Sequence, residues 1–424
     1  MTTSGSTVAG LQNTSAQRAI RAANLGQVLA TVRQNAPVSR AEIATTVDLT
    51  RATVSSLVTE LISHGLVREE GTASSHKVGR PGQMLWLDER HVTALGVEIN
   101  VDHTTLVAVD LLGTELLYTH IPFDARAAGA RGAQAHLAEV IAAALNEPSM
   151  ATRRLLGVGV AVPALVDTAG TVRHAPNLGW RDIALGSELV QESDIAERLR
   201  AVPILVHNDA SLAVVAEHHI GHLVGTANLV YLTGEVGIGA GILNGGQLLR
   251  GAHGFAGELG HLALAPSGPR CGCGRTGCLE ALAGIEAILR RALPERAPEM
   301  TPLAGTELAA AVAETVRRAE LGDLGVRAVL QEAGTWLGRG AAHVCNLLDP
   351  TAIVLGGYFV PLGPWLLPAA NAELQTGAIA SPHQNTQLHL STLGLSAAAR
   401  GGAAVPLQSL ERGQLPLLAR GPTR

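Results

Sequence analysis

The chain has 424 residues, of which 47% are hydrophobic and 16% charged, so it is a globular protein long enough for two or three domains. Four cysteines in a chain of this length argue against a disulfide framework. No run of about 18 apolar residues is present, and the first 20 residues lack a signal-peptide pattern. We therefore expect a cytoplasmic protein without a membrane span.

The net charge of −5 is divided unevenly along the chain. Residues 1–87 carry eight Lys or Arg and five Asp or Glu, a net charge of +3, whereas the remaining residues carry 23 and 31, a net charge of −8. A basic head attached to an acidic body is typical of a small nucleic-acid-binding module joined to a larger domain.

The head divides into a tail and a module of helices and strands. Residues 1–15 are rich in Ser, Thr and Gly, and we expect them to be disordered. Residues 16–90 are predicted to form a winged helix-turn-helix domain. Its first helix is predicted over residues 22–34, where apolar residues recur on one face.

The next two helices have clear start and stop signals. Ser39 and Glu42 form a capping-box motif that opens a short second helix. Thr50 is the expected N-cap of the third helix, and Gly65 is expected to end that helix at positive φ. The third helix has one apolar face, which predicts that its opposite face is the recognition surface of a helix-turn-helix.

The candidate DNA-contacting side chains are short and polar or basic. They are Arg51, Thr53, Ser55 and Ser56 on the recognition helix, and Lys77 and Arg80 on a loop between two predicted strands. An arginine next to a proline on such a wing can enter a minor groove. The alternative is a winged helix that contacts only proteins, with a solvated Ser/Thr face. We favour DNA binding because the helix caps, the turn, the polar face of the third helix and the wing all fit a DNA-binding winged helix-turn-helix.

The body contains two segments with the same order of predicted elements. Residues 93–121 and 228–251 each indicate three short strands with tight turns, and each is followed by helices and buried apolar strands. This repeat predicts the α/β actin-like (RNase H-like) fold of two-lobed sugar kinases, with a ligand cleft between the lobes. We assign residues 91–208 to the first lobe and 209–396 to the second. A final helix, about residues 397–411, is expected to cross back onto the first lobe.

Three of the four cysteines lie within eight positions and follow a histidine by ten residues; the candidate metal ligands are His261, Cys271, Cys273 and Cys278. One nitrogen and three sulfur donors favour a tetrahedral structural Zn²⁺ with no open coordination position. A reactive thiol or a chance cluster is the weaker interpretation, because the Gly-, Pro- and Arg-rich loop has little apolar content to order it without a metal. Cys345 lies in an apolar helical segment and is expected in the core.

The chain resembles the ROK family (repressor, open reading frame, kinase) over about residues 20–410. The resemblance rests on HNDA (207–210), GAHGFAGELGH (251–261), CGCGRTGCLE (271–280) and VLGG (354–357), and the winged helix ending in GRP is similar to the family's repressor branch. It implies a sugar pocket made of Asn208, Asp209, Glu258, His261 and Glu280. It also implies that one ring nitrogen of His261 binds zinc, and that Asp209 matches the general base of the kinases.

The segments that bind the nucleotide phosphates in the family's kinases have a different sequence in this chain. Those kinases begin the first lobe with an Asp-x-Gly-Gly-Thr turn, whose glycines let backbone N–H groups approach phosphate. The corresponding stretch here, residues 98–105, has neither glycine and adds Asp102, and the second phosphate turn includes Glu235. Since phosphoryl transfer depends on positioning and charge stabilisation, we expect no kinase activity and treat Asp209 as a vestigial base.

These observations favour a sugar-responsive transcriptional regulator of carbohydrate-metabolism genes, a repressor by the resemblance, with a non-catalytic sensor body. The alternative is an active ATP-dependent sugar kinase with an appended DNA-binding domain, and control by a partner protein is a third option. The expected partners are operator DNA, a sugar or sugar derivative, and further copies of the chain in a homodimer or tetramer, since one recognition helix reads only a few base pairs.

Overall fold

The computed structural model describes residues 5–72, 83–191, 196–296, 305–380, 383 and 386–414. It confirms an N-terminal helix-turn-helix domain followed by a two-lobed α/β body. Every helix in these ranges is too short or too polar to cross a membrane.

The head combines three helices and a small sheet within the described ranges. Its elements are α1 (Gly5–Asn35), β1 (Val38–Ser39), α2 (Arg40–Thr46), α3 (Arg51–Ser63), β2 (Val67–Thr72) and β3 (Gln83–Leu87). The strand order is β1-β3-β2, so the wing sheet includes a short strand, β1, that the sequence did not indicate. Apolar side chains of α1, α2 and α3 share one core with β3.

The predicted cap signals are confirmed. Ser39 Oγ accepts a hydrogen bond from the Glu42 backbone N–H at 3.3 Å, and Glu42 Oε2 accepts one from the Ser39 N–H at 2.8 Å. Thr50 Oγ1 accepts from the Thr53 N–H at 3.2 Å at the start of α3. Gly65 follows α3 at φ +65°, a conformation that costs glycine little.

The N-terminal segment differs from the prediction. Disorder was expected over residues 1–15, but α1 begins at Gly5, so that expectation is wrong from Gly5 onward, and the helix predicted over 22–34 is too short. The physical reason is that residues 5–35 contain no proline, and Ala, Gln, Leu and Arg in this stretch favour a continuous helix.

The first lobe is a five-stranded sheet in the order β11-β7-β4-β5-β6, as far as the structure describes it, flanked by helices and a small β-sheet. Its elements are β4 (Val92–Ile99), β5 (His103–Val109), β6 (Glu115–Pro122), α4 (Ala125–Asn146), α5 (Pro148–Ala151), β7 (Arg154–Val162), β8 (Leu165–Val166), β9 (Val172–Ala175), β10 (Trp180–Ile183), α6 (Leu185–Gln191), α7 (Ala196–Arg200) and β11 (Ile204–Asn208). Strands β4 and β7 are parallel and almost wholly buried.

The second lobe repeats this topology. Its elements are α8 (Asp209–Ile220), β12 (Leu229–Gly234), β13 (Ile238–Asn244), β14 (Gln247–Leu248), α9 (Leu279–Ala283), α10 (Ile285–Ala292), α11 (Gly305–Glu320), α12 (Leu324–Leu348), β15 (Ala352–Gly357), α13 (Phe359–Gly377) and β16 (Leu388–Leu390). The described strands are ordered β14-β13-β12-β15-β16. In chain order this is the same 3-2-1-4-5 arrangement as in the first lobe, so the predicted repeat is confirmed.

The last helix, α14 (Ala397–Glu411), has the bounds that the sequence predicted and packs on strands β4 and β7 of the first lobe. The approach is backbone to backbone: a Cβ on Gly159 would overlap the carbonyl oxygen of Gly402. On its other sides α14 packs along α8 and against α1 of the head. A Cβ on Gly26 of α1 would overlap the Glu411 carbonyl oxygen. The helix α14 therefore touches the head, the first lobe and the first helix of the second lobe.

Candidate metal centre and ligand cleft

The structure brings the four candidate metal ligands together. One donor atom from each of His261, Cys271, Cys273 and Cys278 lies within 4.8 Å of the others. Cys273 Sγ is 3.7 Å from Cys278 Sγ, and Cys271 Sγ is 3.8 Å from His261 Nδ1. A tetrahedral zinc ion with Zn–S bonds of about 2.3 Å separates its sulfurs by roughly 3.8 Å. The donor set and its spacing therefore fit a tetrahedral metal ion.

The loop that carries the cysteines is held by short-range backbone hydrogen bonds and has few apolar side chains. Its backbone is closed by a Cys271 N–H to Arg275 C=O bond of 2.8 Å and a Gly274 N–H to Cys271 C=O bond of 2.9 Å. Cys273 is exposed at its tip, and Cys278 is buried immediately before α9. A metal ion is the natural cross-link for such a loop. Cys345 lies apart from it, buried in the core of the second lobe as predicted.

His261 faces the cysteines with one ring nitrogen and Glu258 with the other. Its Nδ1 points to Cys271, and its Nε2 is 3.9 Å from Glu258 Oε2. Glu280 follows the cysteine loop directly: its Oε2 accepts the Ile238 N–H at 3.0 Å, and its Oε1 is 3.4 Å from Cys271 Sγ. The metal loop, α9 and strand β13 are thus connected through one carboxylate.

Asn208 and Asp209 stand where β11 passes into α8. Asn208 is the N-cap of α8; its Oδ1 accepts the Ser211 N–H at 3.1 Å, and its Nδ2 donates to the Ala164 carbonyl at 3.2 Å. Sequence reasoning did not identify this capping role. Asp209 is buried, and its Oδ1 accepts the Ala210 N–H at 2.8 Å. Burial, and then the charges of Glu235 and Glu258, raise the pKa of Asp209 to about 7.

Two further carboxylates, the buried Glu98 and the half-buried Glu235, meet at the turns that correspond by resemblance to the kinases' phosphate turns; the sequence analysis did not identify them as a pair. Glu98 from β4 and Glu235, which follows β12, are bridged by Asn100, whose Nδ2 lies 3.3 Å from Glu98 Oε1 and 2.5 Å from Glu235 Oε2. Glu98 Oε2 is buried without a hydrogen-bond partner within the described chain. Burial, and then the charge of Glu235, raise the pKa of Glu98 to about 8. The sequence carries one signal for a buried Glu98, which is an acidic residue within an otherwise largely apolar strand.

A cavity of about 770 Å³ opens beside these turns. The titratable side chains among its described lining residues are Asp102, His103, His120, Asp124, Arg126 and Glu307. His103 pairs with Asp102 at 2.6 Å, which leaves Asp124 and Glu307 against the single guanidinium of Arg126. This excess of carboxylates disfavours a polyphosphate unless a metal intervenes. The sugar-pocket candidates do not line this cavity; they lie around the start of α8 and the metal loop.

The structure shows only part of the predicted DNA surface. Arg51, Ser55 and Ser56 are exposed on α3. Thr53 Oγ1 is 2.8 Å from Thr50 Oγ1, so this hydroxyl takes part in the cap. Lys77 and Arg80 lie outside the described residues.

A pH effect on stability follows from Glu98. Its pKa is about 8 in the folded protein against an ordinary value of 4.5, so between these values the folded state holds a proton that the unfolded state has lost. The free energy of unfolding therefore falls as pH rises from about 4.5 to about 8. We expect Glu98→Gln to flatten this decline in urea unfolding at pH 5, 6.5 and 8, and the exposed Glu320→Gln to leave it unchanged. An equal slope in Glu98→Gln and the wild type would remove Glu98 as its cause.

The ROK family profile matches residues 94–409, most of the body. The chain belongs to the ROK family. The head matches a second profile, the IclR helix-turn-helix domain, over residues 22–71.

Two regulators of this family match nearly the whole chain. The xylose repressor of Bacillus subtilis is 28% identical over 391 residues, 92% of this chain and 96% of the repressor. A solved ROK family transcriptional regulator, described as a homologue of the Escherichia coli MLC protein, aligns with a TM-score of 0.78 at 27% identity and covers 93% of this chain and 98% of its own. A ROK family glucokinase from Streptomyces griseus, solved with glucose and AMPPNP, aligns with a TM-score of 0.59 at 27% identity. This alignment covers 74% of this chain and 98% of the glucokinase. The regulators thus share head and body with this chain.

Proposed function

We propose that this protein is a sugar-responsive DNA-binding transcriptional regulator, a repressor of carbohydrate-metabolism genes, whose kinase-like body senses a sugar without phosphorylating it. The observation that carries the proposal is the joining of a winged helix to a ROK body through α14, in an arrangement similar to a solved ROK regulator over 93% of this chain. The regulator acts in the cytoplasm as a homodimer or tetramer, because paired recognition helices are needed to read two half-sites.

The sugar pocket in this proposal is formed from both lobes. Asn208 ends β11 of the first lobe, and Asp209, Glu258, His261 and Glu280 belong to the second lobe. Carboxylates, an amide and an imidazole suit sugar hydroxyls, each of which both donates and accepts hydrogen bonds. A sugar that bridges these groups favours the closed lobes and, as proposed, releases the operator.

The metal in this proposal is one structural zinc ion per chain. Three thiolates and the His261 Nδ1 complete its shell and leave no position for a substrate. The zinc holds the His261 ring so that its Nε2 faces Glu258, which orients two of the proposed sugar contacts.

The proposed lack of kinase activity is supported by the residues at the phosphate turns. Glu235 adds a carboxylate there and accepts a hydrogen bond from Asn100, whose side chain stands where the kinases have a glycine. The alternative, an active sugar kinase with a DNA-binding head, is favoured by one observation. The pKa of Asp209, about 7, suits a general base.

Operator binding with and without sugar tests the proposal. DNA selected from a random pool by the full-length protein is titrated in fluorescence anisotropy with xylose, glucose, N-acetylglucosamine and their phosphates, and with no nucleotide. One of these is expected to lower DNA affinity by about 5–150-fold. A panel without any effect, together with sugar-dependent ATP consumption at roughly 1–10³ s⁻¹, would favour the kinase instead.

Arg51 tests the DNA-binding surface independently of sugar. It is exposed at the first residue of α3, and the N-terminal residues of a recognition helix contact base edges. We expect Arg51→Ala to weaken binding to the selected DNA by about 1–3 kcal/mol, roughly 5–150-fold, in anisotropy. Arg290→Ala, on α10 of the second lobe, is the control and should bind like the wild type. Undiminished affinity in Arg51→Ala would exclude this arginine from the interface.

A further inference from the structure

A second cavity, of about 570 Å³, lies where the head meets the body. Its walls come from α1, α8 and α14 and from the turn between β5 and β6. None of the proposed sugar-contacting residues lines it. Its volume is within the range of small-molecule sites, and it is separate from the interlobe cleft.

The cavity is rich in guanidinium groups. Arg33, Arg400 and Arg412 line it, and Glu411 is the one carboxylate among its described lining residues. Glu411 pairs with Arg33, and Glu115 lies 2.8 Å from Arg400 outside the lining. The charged groups of the cavity wall therefore leave positive charge unbalanced, which favours an anion.

Two of these arginines have donors left for a ligand. Arg33 Nη2 is buried and has no hydrogen-bond partner within the described chain, although a buried charged donor without a partner is costly. Arg412 is exposed and donates from Nη2 to the Gly246 carbonyl at 3.1 Å. If the Arg33 side chain turned toward the cavity, an anionic oxygen held by Arg412 would satisfy the Arg33 donor as well.

His219 lies on the same wall, and the positive charges of the cavity contribute to lowering its pKa. Burial first, and then the charges of His218, Arg33 and Arg412, lower the pKa of His219 to about 4, so its imidazole is neutral at pH 7. The guanidinium groups therefore supply the positive charge of the cavity near neutral pH.

The rim is apolar and exposed. Leu112, Ile220 and Val224 line the cavity and are 52%, 44% and 62% exposed. Exposed apolar side chains that adjoin convergent polar groups are typical of a ligand site. The ligand that fits carries an anionic group at one end and an apolar body at the other.

We propose that this cavity is a second effector site, which binds a small organic anion whose phosphate or carboxylate contacts Arg33 and Arg412 and whose apolar part covers Val224 and Ile220. Because residues of both α1 and α14 line the cavity, the bound anion contacts the head and the body together. The proposal is independent of the sugar pocket.

The test uses the full-length protein and the dye anilinonaphthalene sulfonate, an aromatic anion, followed by fluorescence and calorimetry. We expect one dye per chain, with an affinity lowered about tenfold or more in Arg412→Gln, which removes a donor, and in Val224→Glu, which adds a negative charge at an exposed rim position. Val224→Gln and Arg290→Gln are the matched controls and should retain most of the affinity, and circular dichroism checks that each variant is folded. No saturable dye binding, or equal affinity in both test variants and the wild type, would overturn the proposal.

Competition identifies the chemistry and separates the two sites. Phenyl phosphate and benzoate should displace the dye, and neutral phenol should not; the stronger of the two anions indicates whether phosphate or carboxylate is preferred. Asp209→Asn should bind the dye like the wild type. Loss of dye binding in Asp209→Asn, or displacement by phenol at the same concentration as by the anions, would contradict an anion site between head and body.

Discussion

A Cys273→Ser protein is expected to contain no zinc and to have lost most of its response to sugar while it still binds the selected DNA. Cys273 is the exposed member of the cluster, so its replacement disturbs no core packing. It removes one of four donors from a loop with few apolar side chains, and structural zinc sites contribute order to the chain around them. The freed His261 ring then no longer holds its place beside Glu258.

The chain offers a matched control for this substitution. Cys345→Ala alters the remaining cysteine, which lies in the core of the second lobe and outside the cluster. Elemental analysis should find one zinc per chain in the wild type and in Cys345→Ala, and none in Cys273→Ser. Sugar titrations of the three proteins by calorimetry then show whether the metal supports the pocket. Normal sugar affinity in zinc-free Cys273→Ser would break the proposed link between metal and pocket.

Local rules made much of the fold predictable. The Ser39–Glu42 capping box, the Gly65 turn and the bounds of α14 depend on neighbouring residues, and the structure agrees with each. The repeated strand order of the two lobes was visible because each copy is a continuous stretch of sequence. The metal cluster could be proposed for the same reason, since its cysteines lie within eight positions.

Features that depend on distant pairs were not predictable. Asn100 and Glu235 are 135 positions apart, and their hydrogen bond between the lobes exists only because the turns that carry them face each other in the fold. The strand β1 forms only by pairing with β3, since two residues carry no strand pattern of their own. The start of α1 at Gly5 is not predictable from composition, because a segment rich in Ser, Thr and Gly is also typical of disorder.

A route from the proposed sugar pocket to the DNA-binding head passes through two helices. Asp209 is the first residue of α8, and α8 packs along α14 so closely that a Cβ on Gly401 would overlap the Leu212 carbonyl oxygen. At its far end α14 contacts α1, where Glu411 pairs with Arg33. A change in the angle between the lobes that moves α8 therefore moves α14, and α14 carries the head. In the proposed function, this route would couple sugar binding in the pocket to operator binding by the head.

Asp209→Asn is expected to give a DNA-binding protein that no longer responds to sugar. The substitution keeps the shape of the side chain and an oxygen that can accept the Ala210 N–H, so α8 should begin as before. It removes a carboxylate, and hydrogen bonds to charged groups contribute about 1.5–3 kcal/mol, so sugar affinity should fall roughly 10–150-fold. Operator affinity without sugar should stay unchanged, because Asp209 does not touch the head.

Anisotropy and calorimetry separate the two properties in this variant. The variant and the exposed-carboxylate control Glu320→Gln are titrated first with the selected DNA and then with the active sugar, in the absence of nucleotide. The control should release DNA as the wild type does, and Asp209→Asn should retain it at sugar concentrations that saturate the wild type. If Asp209→Asn releases DNA at the wild-type sugar concentration, the sensor lies outside the proposed pocket. If it loses DNA binding before sugar is added, the start of α8 supports the head directly and the substitution cannot be acting through sugar alone.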